Sequence, residues 1–322
     1  MAEARVSARV GSRTLSLSNL EKVLWPRDGY TKGDLIAYYE DVASFAIPHL
    51  KERPLTLQRY PNGIDGEQFF EKQMPRGTPD WVDRVTVPTP GGSRSHVTFV
   101  VCNDAPSLVY VANLATIVLH IWTSRVDALD EPDFVIFDLD PGDKCTLKTL
   151  TAVALSVRSL LEAIGLKPLV KTTGGYGVHV VVPLASGYSY ETVKIFAELV
   201  ARRAASELGE LATLQRTIAK RPQSAVYIDF VQVGQGKTIV APYSVRARDG
   251  APVSTPLDWS EVEGFGRRRA AAMPADEFAK FTMRTTSKRL ERDGDLWGAK
   301  HWKKQRLEPA IAKAQRLWSV TV

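Results

Sequence analysis

Cysteine is nearly absent from this 322-residue sequence, and this and other absences exclude several kinds of protein. Cys102 and Cys145 are far apart and form no CxxC pair, which excludes a zinc module built on cysteine pairs and argues against a disulfide scaffold. No apolar run reaches the length of a membrane span, and the N-terminus lacks the apolar core of a signal peptide. We therefore expect a cytoplasmic protein without a membrane partner.

The charge balance is mildly basic. There are 42 lysines and arginines against 36 aspartates and glutamates, which gives a net charge of +6 and a pI of about 9.2. Such an excess permits an anionic partner without requiring one. Basic residues cluster at Arg246 and Arg248, over 267–269 and in the tail from Lys300 onward, but each cluster by itself is typical of a solvated face.

Helical and strand patterns intermix without a regular βαβ rhythm, which predicts a mixed α+β fold rather than a parallel sheet. Boundaries follow from caps, turns and apolar periodicity. The predicted elements are a loose arm at 1–13, a short helix capped at Ser18, a helix from Thr31 to about Leu50, strands within 53–73, an irregular stretch over 75–92, a strand at 96–103, an apolar helix over 106–122, a strand carrying Asp138, helices at 147–164 and 190–208, strands within 168–184, at 225–230 and at 238–248, and a mostly helical tail after Asp276.

The segment 134-FVIFDLDPGD-143 places two carboxylates inside an apolar strand that ends at a Pro-Gly turn. Asp138 and Asp140 point to the same face because side chains alternate along a strand. Burying both without a positive partner costs several kcal/mol. The pattern predicts either acids that are solvated or paired with Lys or Arg, or a site for a hard divalent cation.

A third carboxylate, Asp229, lies near the end of another apolar strand, 226-VYIDF-230. Three acids are enough for two ions with shared ligands, which can hold the attacking and leaving oxygens of a phosphoryl transfer. An ordinary strand-end acid is the alternative for Asp229 taken alone.

Glycines and basic residues in two further segments are compatible with phosphate binding. In 172-TTGGYGVHV-180, glycines allow backbone N–H groups to approach phosphate oxygens, and His179 begins the next strand. Lys237, Arg246 and Arg248 are predicted within one hairpin, where they can offset the charge of a triphosphate. A plain hairpin, a structural histidine and a basic strand edge are the alternatives.

Two N-terminal features suit nucleic acid. Phe69 and Phe70 follow a predicted turn, where an exposed ring can stack on a base, although core packing of one of them is the alternative. Lys22 and Lys32 flank a helix–loop segment that can hold a terminal phosphate.

In combination these segments resemble the archaeo-eukaryotic primase superfamily, most closely the polymerase domain of bacterial ligase D and its stand-alone relatives. The resemblance runs from about Leu17 to about Trp259. It rests on six segments in order: KVLWP, YPNGIDGEQFFEKQ, FDLDPGD, TTGGYGVHVVVPL, VYIDF and APYSVRAR.

The resemblance implies a role for each matching residue. The metal-binding catalytic residues are Asp138, Asp140 and Asp229. Residues on the nucleotide side are His120, Thr173, Gly174, His179, Gln232, Lys237, Ser244, Arg246 and Arg248. Contacts to DNA come from Asn19, Lys22, Lys32, Arg59, Phe69 and Phe70, with the two lysines and Asn19 holding the 5′-phosphate of a downstream strand.

The resemblance also implies an architecture and an activity. The fold is an α+β catalytic core on an RRM-like mixed sheet with an N-terminal αβ lobe. Residues 14–300 form one primase-polymerase domain of two packed lobes, followed by a basic helical tail at 301–322. The activity is template-directed primer extension and gap filling by two Mn²⁺ or Mg²⁺ ions, with NTPs or dNTPs and a preference for ribonucleotides. Implied partners are broken or gapped DNA with a 5′-phosphate, Ku and a DNA ligase, for a nucleoid-associated monomer in non-homologous end joining or related gap repair.

Three positions depart from the family pattern. Tyr176 replaces a lysine of the glycine loop, Gln58 stands where a lysine is frequent, and Pro222 occupies a position often taken by arginine, with Lys220 or Arg221 as neighbouring substitutes. The departures concern substrate affinity and specialisation for end joining, not the type of reaction.

Three rival functions stay open. A phosphatase of the haloacid dehalogenase type also uses an apolar-Asp-x-Asp motif, but it usually has Thr where this chain has Gly142, and its motif lies near the start of the chain. A non-catalytic DNA-end-binding module would use the acids only for structure. A primase that starts strands without a primer shares the fold, and the lack of a cysteine zinc module disfavours it.

Overall fold

The structure is a computed structural model that describes residues 5–89, 95–267 and 272–318. The chain divides into two compact units, each built from separate stretches of sequence. The first unit comprises Met1–Trp122, Thr238–Thr255 and Phe281–Asp295, and the second comprises Thr123–Lys237, Pro256–Lys280 and Leu296–Val322.

The described residues form these helices: α1 Lys32–Asp41, α2 Ala43–Leu50, α3 Ala105–Asn113, α4 Leu147–Ala163, α5 Tyr190–Leu208, α6 Trp259–Gly266, α7 Pro274–Phe278, α8 Met283–Asp293 and α9 Leu307–Trp318. Single 3₁₀ turns occupy Gly209–Leu211 and Ile218–Lys220. Among the residues that the structure describes, no helix is long and apolar enough to span a membrane.

The strands are β1 Arg5–Val10, β2 Arg13–Ser18, β3 Val23–Trp25, β4 Tyr30–Thr31, β5 Pro54–Arg59, β6 Phe69–Glu71, β7 Arg84–Pro88, β8 His96–Val101, β9 Thr116–Trp122, β10 Ser124–Arg125, β11 Ala128–Pro132, β12 Phe134–Pro141, β13 Leu169–Thr172, β14 Val178–Pro183, β15 Ala212–Thr213, β16 Val226–Asp229, β17 Thr238–Val240 and β18 Pro256–Leu257.

The second unit is built on a six-stranded sheet with the order β15-β16-β12-β14-β13-β18. Apart from the two-residue strand β15, its chain order β12-α4-β13-β14-α5-β16 is the βαββαβ arrangement of ferredoxin-like and RRM-like folds. The pairs formed by β12, β13, β14 and β16 are antiparallel, whereas β15 pairs with β16 in parallel. The predicted α+β class with an RRM-like mixed sheet is therefore confirmed.

The first unit has its own sheet, with the order β17-β9-β5-β8-β7 and β6 paired to β5. Helices α1, α2 and α3 contact one another, and α3 also contacts β9. The capping of α1 follows the sequence: the Thr31 side chain accepts from the Asp34 N–H at 3.1 Å, and Asp34 accepts from the Thr31 N–H at 2.7 Å.

The prediction of a loose N-terminal arm is wrong for residues 5–13. β1 and β2 form an antiparallel hairpin from Arg5 opposite Ser18 to Val10 opposite Arg13. The chain reverses at Gly11, whose positive φ of 55° suits a tight turn. Leu15 and Leu17 alternate with serines and are buried, which is the period-two signal of a half-buried strand. The short helix predicted after Ser18 is also wrong, because the chain turns there.

The predicted apolar helix over 106–122 is wrong in its second half. Helix α3 ends at Asn113, and the left-handed backbone of Ala115 (φ 58°) redirects the chain into strand β9. Thr116, Ile117 and Val118 are β-branched and favour the strand, where Thr116 and Val118 pair with β5. A continuous apolar run carries no period that separates a buried helix from a buried strand.

Two other boundaries differ from the prediction. The helix expected from Thr31 to Leu50 is two helices, because the backbone leaves helical geometry at Val42 (φ −88°, ψ 2°). The stretch over 75–92, expected to be irregular, contains β7, which pairs with β8 along its whole length. Alternation of Val85 and Val87 with polar residues was the signal for this strand.

Gly142, at the end of β12, lets the backbone approach Gln223 more closely than any residue with a Cβ atom would allow. A Cβ atom there would lie 2.3 Å from the backbone oxygen of Gln223. We predict that Gly142→Ala destabilises the protein by about 1–3 kcal/mol, since the backbone must shift to relieve the overlap. Thermal and urea unfolding measure the loss.

The matched control is Gly264→Ala in α6, where an added Cβ meets no atom within 4 Å. This variant should be neutral or gain about 0.5–1 kcal/mol from the better helix propensity of alanine. Equal stability of the two variants would contradict the packing argument.

Candidate functional site

A row of polar side chains crosses four neighbouring strands of the second unit's sheet. The register places Lys171 on β13 opposite His179 on β14, His179 opposite Asp138 on β12, and Asp138 opposite Asp229 on β16. Directly opposite residues point to the same face of a sheet. We call these four residues the cross-strand row.

Asp140 lies on the same face as the row, two residues beyond Asp138. Phe137 and Leu139 alternate with these acids, point to the other face and are fully buried. Nε2 of His179 lies 3.2 Å from Oδ1 of Asp138, and the histidine side chain is only 3% exposed. The sheet therefore brings the three predicted carboxylates to one face and packs a histidine against the central one.

The charge on Asp229 is disfavoured in the folded protein. Burial raises the pKa of the Asp229 carboxyl, and the nearby Asp138 carboxylate raises it further. A hydrogen bond of 2.9 Å from the Val231 N–H to Oδ1 of Asp229, together with the charge of Lys237, acts in the opposite direction. Two acids directly opposite one another repel, so a bound cation would relieve a cost that the fold carries.

The donor chemistry of the three carboxylates fits a hard divalent cation, which takes carboxylate oxygens. Asp138, Asp140 and Asp229 are all partly exposed on one face, and register brings Asp229 beside Asp138. Over residues 5–89, 95–267 and 272–318, however, no three His, Cys, Asp or Glu side chains are already grouped closely enough to hold a metal ion. The backbone positions are therefore set, whereas the carboxylates are not gathered into a finished coordination sphere.

The glycine loop between β13 and β14 is held by its own threonines. Oγ1 of Thr173 accepts from the Gly175 N–H at 3.2 Å, and the Thr173 N–H donates to the Gly177 oxygen at 3.0 Å. Gly174 is buried with a positive φ of 70°. A Cβ at Gly177 would lie 2.4 Å from the oxygen of Leu139, so that glycine lets the loop pack against the strand of the acids.

Gln232 and Lys237 lie in the loop that follows β16, close in sequence to Asp229. Nζ of Lys237 donates to the Val231 oxygen at 2.5 Å. Burial lowers the pKa of Lys237, while the Asp229 carboxylate acts in the opposite direction. Lys237 is exposed, so this cation is accessible near the carboxylates.

The predicted hairpin of Lys237, Arg246 and Arg248 is wrong. Lys237 belongs to the second unit, and the two arginines belong to the first. The strand β17 ends at Val240, and the Arg248 N–H donates to the Arg246 oxygen at 2.9 Å, so the arginines lie in a turn and do not share a strand face. The Asp249-Gly250 pair is a turn signal that outweighs the apolar pattern before it.

Ser244, predicted to contact nucleotide, is fully buried in the first unit. Its Oγ accepts from the Leu119 N–H at 2.8 Å, which ties the 241–246 segment to β9. This hydrogen bond gives Ser244 a structural role, and its predicted contact to nucleotide stays a prediction. Arg246 is half-buried and Arg248 is exposed. Burial raises the pKa of the nearby Tyr60 hydroxyl, and the charges of the two arginines act in the opposite direction.

His120 lies on strand β9, not on a helix as predicted. Its Nε2 is 3.1 Å from Oε1 of Gln58, and its ring centroid is 5.5 Å from that of Phe70. Gln58 also donates to the Tyr60 hydroxyl at 2.6 Å. These residues form one polar and aromatic patch on the first unit.

Both predicted stacking rings are exposed: Phe69 by 40% and Phe70 by 56%. The Arg59 guanidinium lies 5.3 Å from the centre of the Phe69 ring and donates to Glu71 at 2.6 Å. Arg59, predicted to contact DNA, is thus engaged within the protein as a support for Phe69. Core packing, the alternative for one of the phenylalanines, is excluded by these exposures.

The backbone brings together Asn19, Lys22 and Lys32, the residues predicted to hold a 5′-phosphate. The Lys22 N–H donates to the Asn19 oxygen at 3.1 Å, and the Lys32 N–H donates to the Lys22 oxygen at 2.8 Å. Nζ of Lys22 donates to Asn62 at 3.0 Å, and Nζ of Lys32 donates to Oγ of Ser18 at 3.3 Å. Asn19 reaches this arrangement through a left-handed backbone (φ 53°).

Sequence reasoning missed Lys171 and Tyr227. Lys171 is fully buried, and the signal for it is a charged residue inside an apolar strand. Tyr227 lies opposite Asp140, and the Arg221 guanidinium stacks 3.6 Å from its ring centre. Arg221, Pro222 and Asp140 line a cavity of about 290 Å³. Arg221, the neighbour of the position where the family often has arginine, therefore shares this cavity with one of the three carboxylates.

Comparison with known proteins defines the protein family to which this chain belongs. A sequence model described as "LigD, primase-polymerase domain" matches residues 31–297. The polymerase domain of ligase D from Mycobacterium tuberculosis, solved in complex with DNA, has a TM-score of 0.79 and 32% sequence identity, covering 89% of this chain and 97% of that one. The chain belongs to the LigD primase-polymerase domain family.

Two curated relatives show how much of a longer protein the match covers. The multifunctional non-homologous end joining protein LigD of Mycolicibacterium smegmatis is 34% identical over 76% of this chain and 32% of its own length. The bifunctional non-homologous end joining protein LigD of Bacillus subtilis is 30% identical over 87% of this chain and 43% of its own length. The chain thus spans less than half of either relative.

The family assignment confirms the resemblance and the predicted enzyme class, a nucleotidyltransferase of the primase-polymerase kind. The family is one of metal-dependent nucleotidyltransferases. This assignment disfavours two of the rival functions, the haloacid dehalogenase type of phosphatase and the non-catalytic DNA-end-binding module.

The repulsion between Asp138 and Asp229 leads to a stability prediction. Asp229→Asn should raise the melting temperature of metal-free protein at pH 7, because the amide removes the buried charge and keeps the oxygen that accepts from Val231. A gain of about 0.2–1 kcal/mol is expected for relief of a like-charged cross-strand pair. Differential scanning calorimetry in a chelator measures it.

Asp80→Asn serves as the control, because Asp80 is fully exposed on the first unit. Its melting temperature should match that of the unmutated protein. If Asp229→Asn melts at or below the unmutated protein, the carboxylates do not strain the fold.

Proposed function

We propose that the protein transfers nucleoside monophosphates from NTPs or dNTPs to a primer 3′-OH, filling gaps at DNA breaks under the direction of a template. The observation that carries this proposal is the register that sets Asp138 beside Asp229 with Asp140 on the same face. Carboxylates arranged on neighbouring strands are the protein component of two-metal phosphoryl transfer.

Asp138, Asp140 and Asp229 would hold the divalent ions, which we propose to be two Mn²⁺ or Mg²⁺. When bound, such ions lower the pKa of an attacking hydroxyl and neutralise charge on the leaving pyrophosphate. His179, packed 3.2 Å from Asp138, orients that carboxylate. Its burial favours this role over a direct phosphate contact.

The remaining nucleotide-side residues offset triphosphate charge and orient the substrate. Lys237 is exposed in the loop after β16 and supplies a cation near Asp229. Arg246, Arg248 and His120 supply donors on the first unit, and we assign the arginines to phosphate oxygens. Thr173, Gly174 and Gln232 keep the nucleotide-side roles that the family resemblance implies, as backbone or side-chain donors near the glycine loop and β16.

DNA contacts rest on the first unit. The exposed rings of Phe69 and Phe70 can stack on bases, since stacking tolerates any sequence. The pocket of Asn19, Lys22 and Lys32 is suited to the 5′-phosphate on the far side of a gap. The DNA complex of the structurally similar M. tuberculosis domain supports DNA binding here. Such binding should weaken as salt rises.

The wider biology follows from the relatives and is part of the proposal. Their names place them in non-homologous end joining, so we propose the same pathway, or related gap repair, with Ku and a DNA ligase as partners. The proposal also includes a preference for ribonucleotides, a monomeric state and a cytoplasmic location at the nucleoid. It assigns residues 14–300 to one catalytic domain. Strand initiation without a primer is the second candidate, because the family's description includes primase activity.

Removing a carboxylate tests the catalytic assignment. We predict that Asp138→Ala and Asp140→Ala each lower incorporation into a gapped duplex by at least about 10³-fold, the scale seen when a preorganised electrostatic group is lost. DNA affinity, measured by fluorescence anisotropy, should stay unchanged, since the DNA contacts are proposed for the first unit.

Asp127→Ala removes an exposed acid from the hairpin of β10 and β11 in the same unit and is the matched control. It should extend primers normally. Primer extension by a variant lacking both Asp138 and Asp140 would refute the site.

The phosphate pocket is tested by competition between gapped duplexes with and without a 5′-phosphate. The unmutated protein should prefer the phosphorylated gap, and Lys22→Ala with Lys32→Ala should bring the two affinities to within about twofold, since the phosphate's cationic contacts are removed. Lys32 is buried, so its replacement by Ala can lower stability. In that case the variant to use is Lys22→Ala with Lys32→Met, because methionine keeps more of the apolar packing.

Lys148→Ala with Lys313→Ala removes the same charge from exposed positions of the second unit. This double variant should keep the preference for phosphorylated gaps. Equal affinities of the unmutated protein for both gaps would rule out the pocket.

A further inference from the structure

The backbone of the first unit is strained beside Arg246. Tyr243 has a φ of 64°, a left-handed conformation that bulky residues rarely adopt, and its side chain is almost fully buried. Such a conformation costs about 1–3 kcal/mol and persists only where its surroundings impose it. The contacts of residues 243–246 must therefore hold this conformation.

Hydrogen bonds fix this backbone at successive residues. Tyr243 donates its N–H to the Ser254 oxygen at 2.7 Å and accepts, at its carbonyl, the hydroxyl of Tyr38 at 2.9 Å. The Val245 N–H donates to the hydroxyl of Tyr39 at 3.1 Å. Two adjacent tyrosines of α1 thus hold the main chain just before Arg246.

The Tyr243 side chain is held in turn by a buried carboxylate. Its hydroxyl donates to Oδ1 of Asp295 at 2.5 Å, and Oδ2 of Asp295 lies 2.8 Å from Nε2 of His49. The side chains of His49 and Asp295 are 8% and 10% exposed. Burial, and then the Asp295 carboxylate, raise the pKa of Tyr243 well above its ordinary value, so the hydroxyl remains a donor.

The side chains of Tyr243, Asp295 and His49 are named here the buried triad, and they come from three separated parts of the chain. A buried carboxylate costs free energy unless it is hydrogen-bonded, and apolar residues of similar volume would often stabilise a core at least as well. A fully bonded polar network does supply fixed geometry. The geometry that this network fixes is the strained turn that leads into Arg246.

We propose that the buried triad is a positioning device for Arg246, in which Asp295 locks the Tyr243 hydroxyl and thereby holds the left-handed turn that presents the arginine to the nucleotide's phosphates. The inference rests on the proposed function, in which Arg246 binds those phosphates. Tyr243, Asp295 and His49 do not touch the substrate.

Tyr243→Phe is the sharpest test, because it removes one hydroxyl and keeps the ring. Two measurements apply to the full chain: steady-state incorporation into a gapped duplex, and amide hydrogen exchange over residues 243–247. We expect the KM for nucleotide to rise about tenfold, equivalent to about 1.4 kcal/mol, with kcat at saturating nucleotide within about twofold. Exchange over the turn should accelerate. Asp295→Asn should move both measurements in the same direction.

Tyr188→Phe is the matched control. Tyr188 is also buried, and its hydroxyl donates to a carboxylate, Glu308, at 2.6 Å, but it lies in the second unit. This variant loses the bond to Glu308 and the bond that the hydroxyl accepts from the Leu307 N–H at 2.9 Å, and it should change neither the KM nor the exchange of residues 243–247. The comparison separates positioning of the turn from general loss of stability.

The outcomes are distinct. A raised KM and faster exchange in Tyr243→Phe and Asp295→Asn, both absent in Tyr188→Phe, support the positioning device. Unchanged exchange, an unchanged KM, or an equal effect of Tyr188→Phe overturns it while unmutated protein still incorporates nucleotide. Failure of the unmutated protein to bind or incorporate nucleotide would overturn the proposed function, and the positioning role with it.

Discussion

The pairing register of β12 with β14 and β16 is the constraint on which the candidate site depends. Because side chains alternate, a slip of one residue would turn Asp138 and Asp140 toward the apolar side and expose Phe137 and Leu139. Burial of those apolar residues opposes the slip. Gly142 adds a close backbone contact at the strand's end that suits one register.

This register carries an electrostatic cost. Asp229 faces Asp138 across the strand pair, and the raised pKa of Asp229 records the cost of its burial and of the neighbouring anion. His179 and the fully buried Lys171 extend the same row on the other side of Asp138, and the His179 ring lies 3.2 Å from the Asp138 carboxylate. A bound cation would relieve this cost, and a site with that property accepts lower stability for function.

The first unit uses the same principle with different chemistry. Its exposed phenylalanines are surface features, whereas the turn before Arg246 is held by buried hydroxyls and a carboxylate. Strain at Tyr243 persists because several partners bond it at once. In both units, buried polar contacts fix the groups that are proposed to meet substrate.

The sequence by itself determined the local elements: the strands of Asp138 and Asp229 and the capping of α1 by Thr31. Apolar alternation, caps and turn residues act over a few neighbours and can be recognised from sequence. Only the tertiary structure decided that Asp229 faces Asp138, that Lys171 joins their row, that His120 lies on a strand and that Arg246 follows a strained turn. These depend on pairing between distant segments, which local periodicity does not encode.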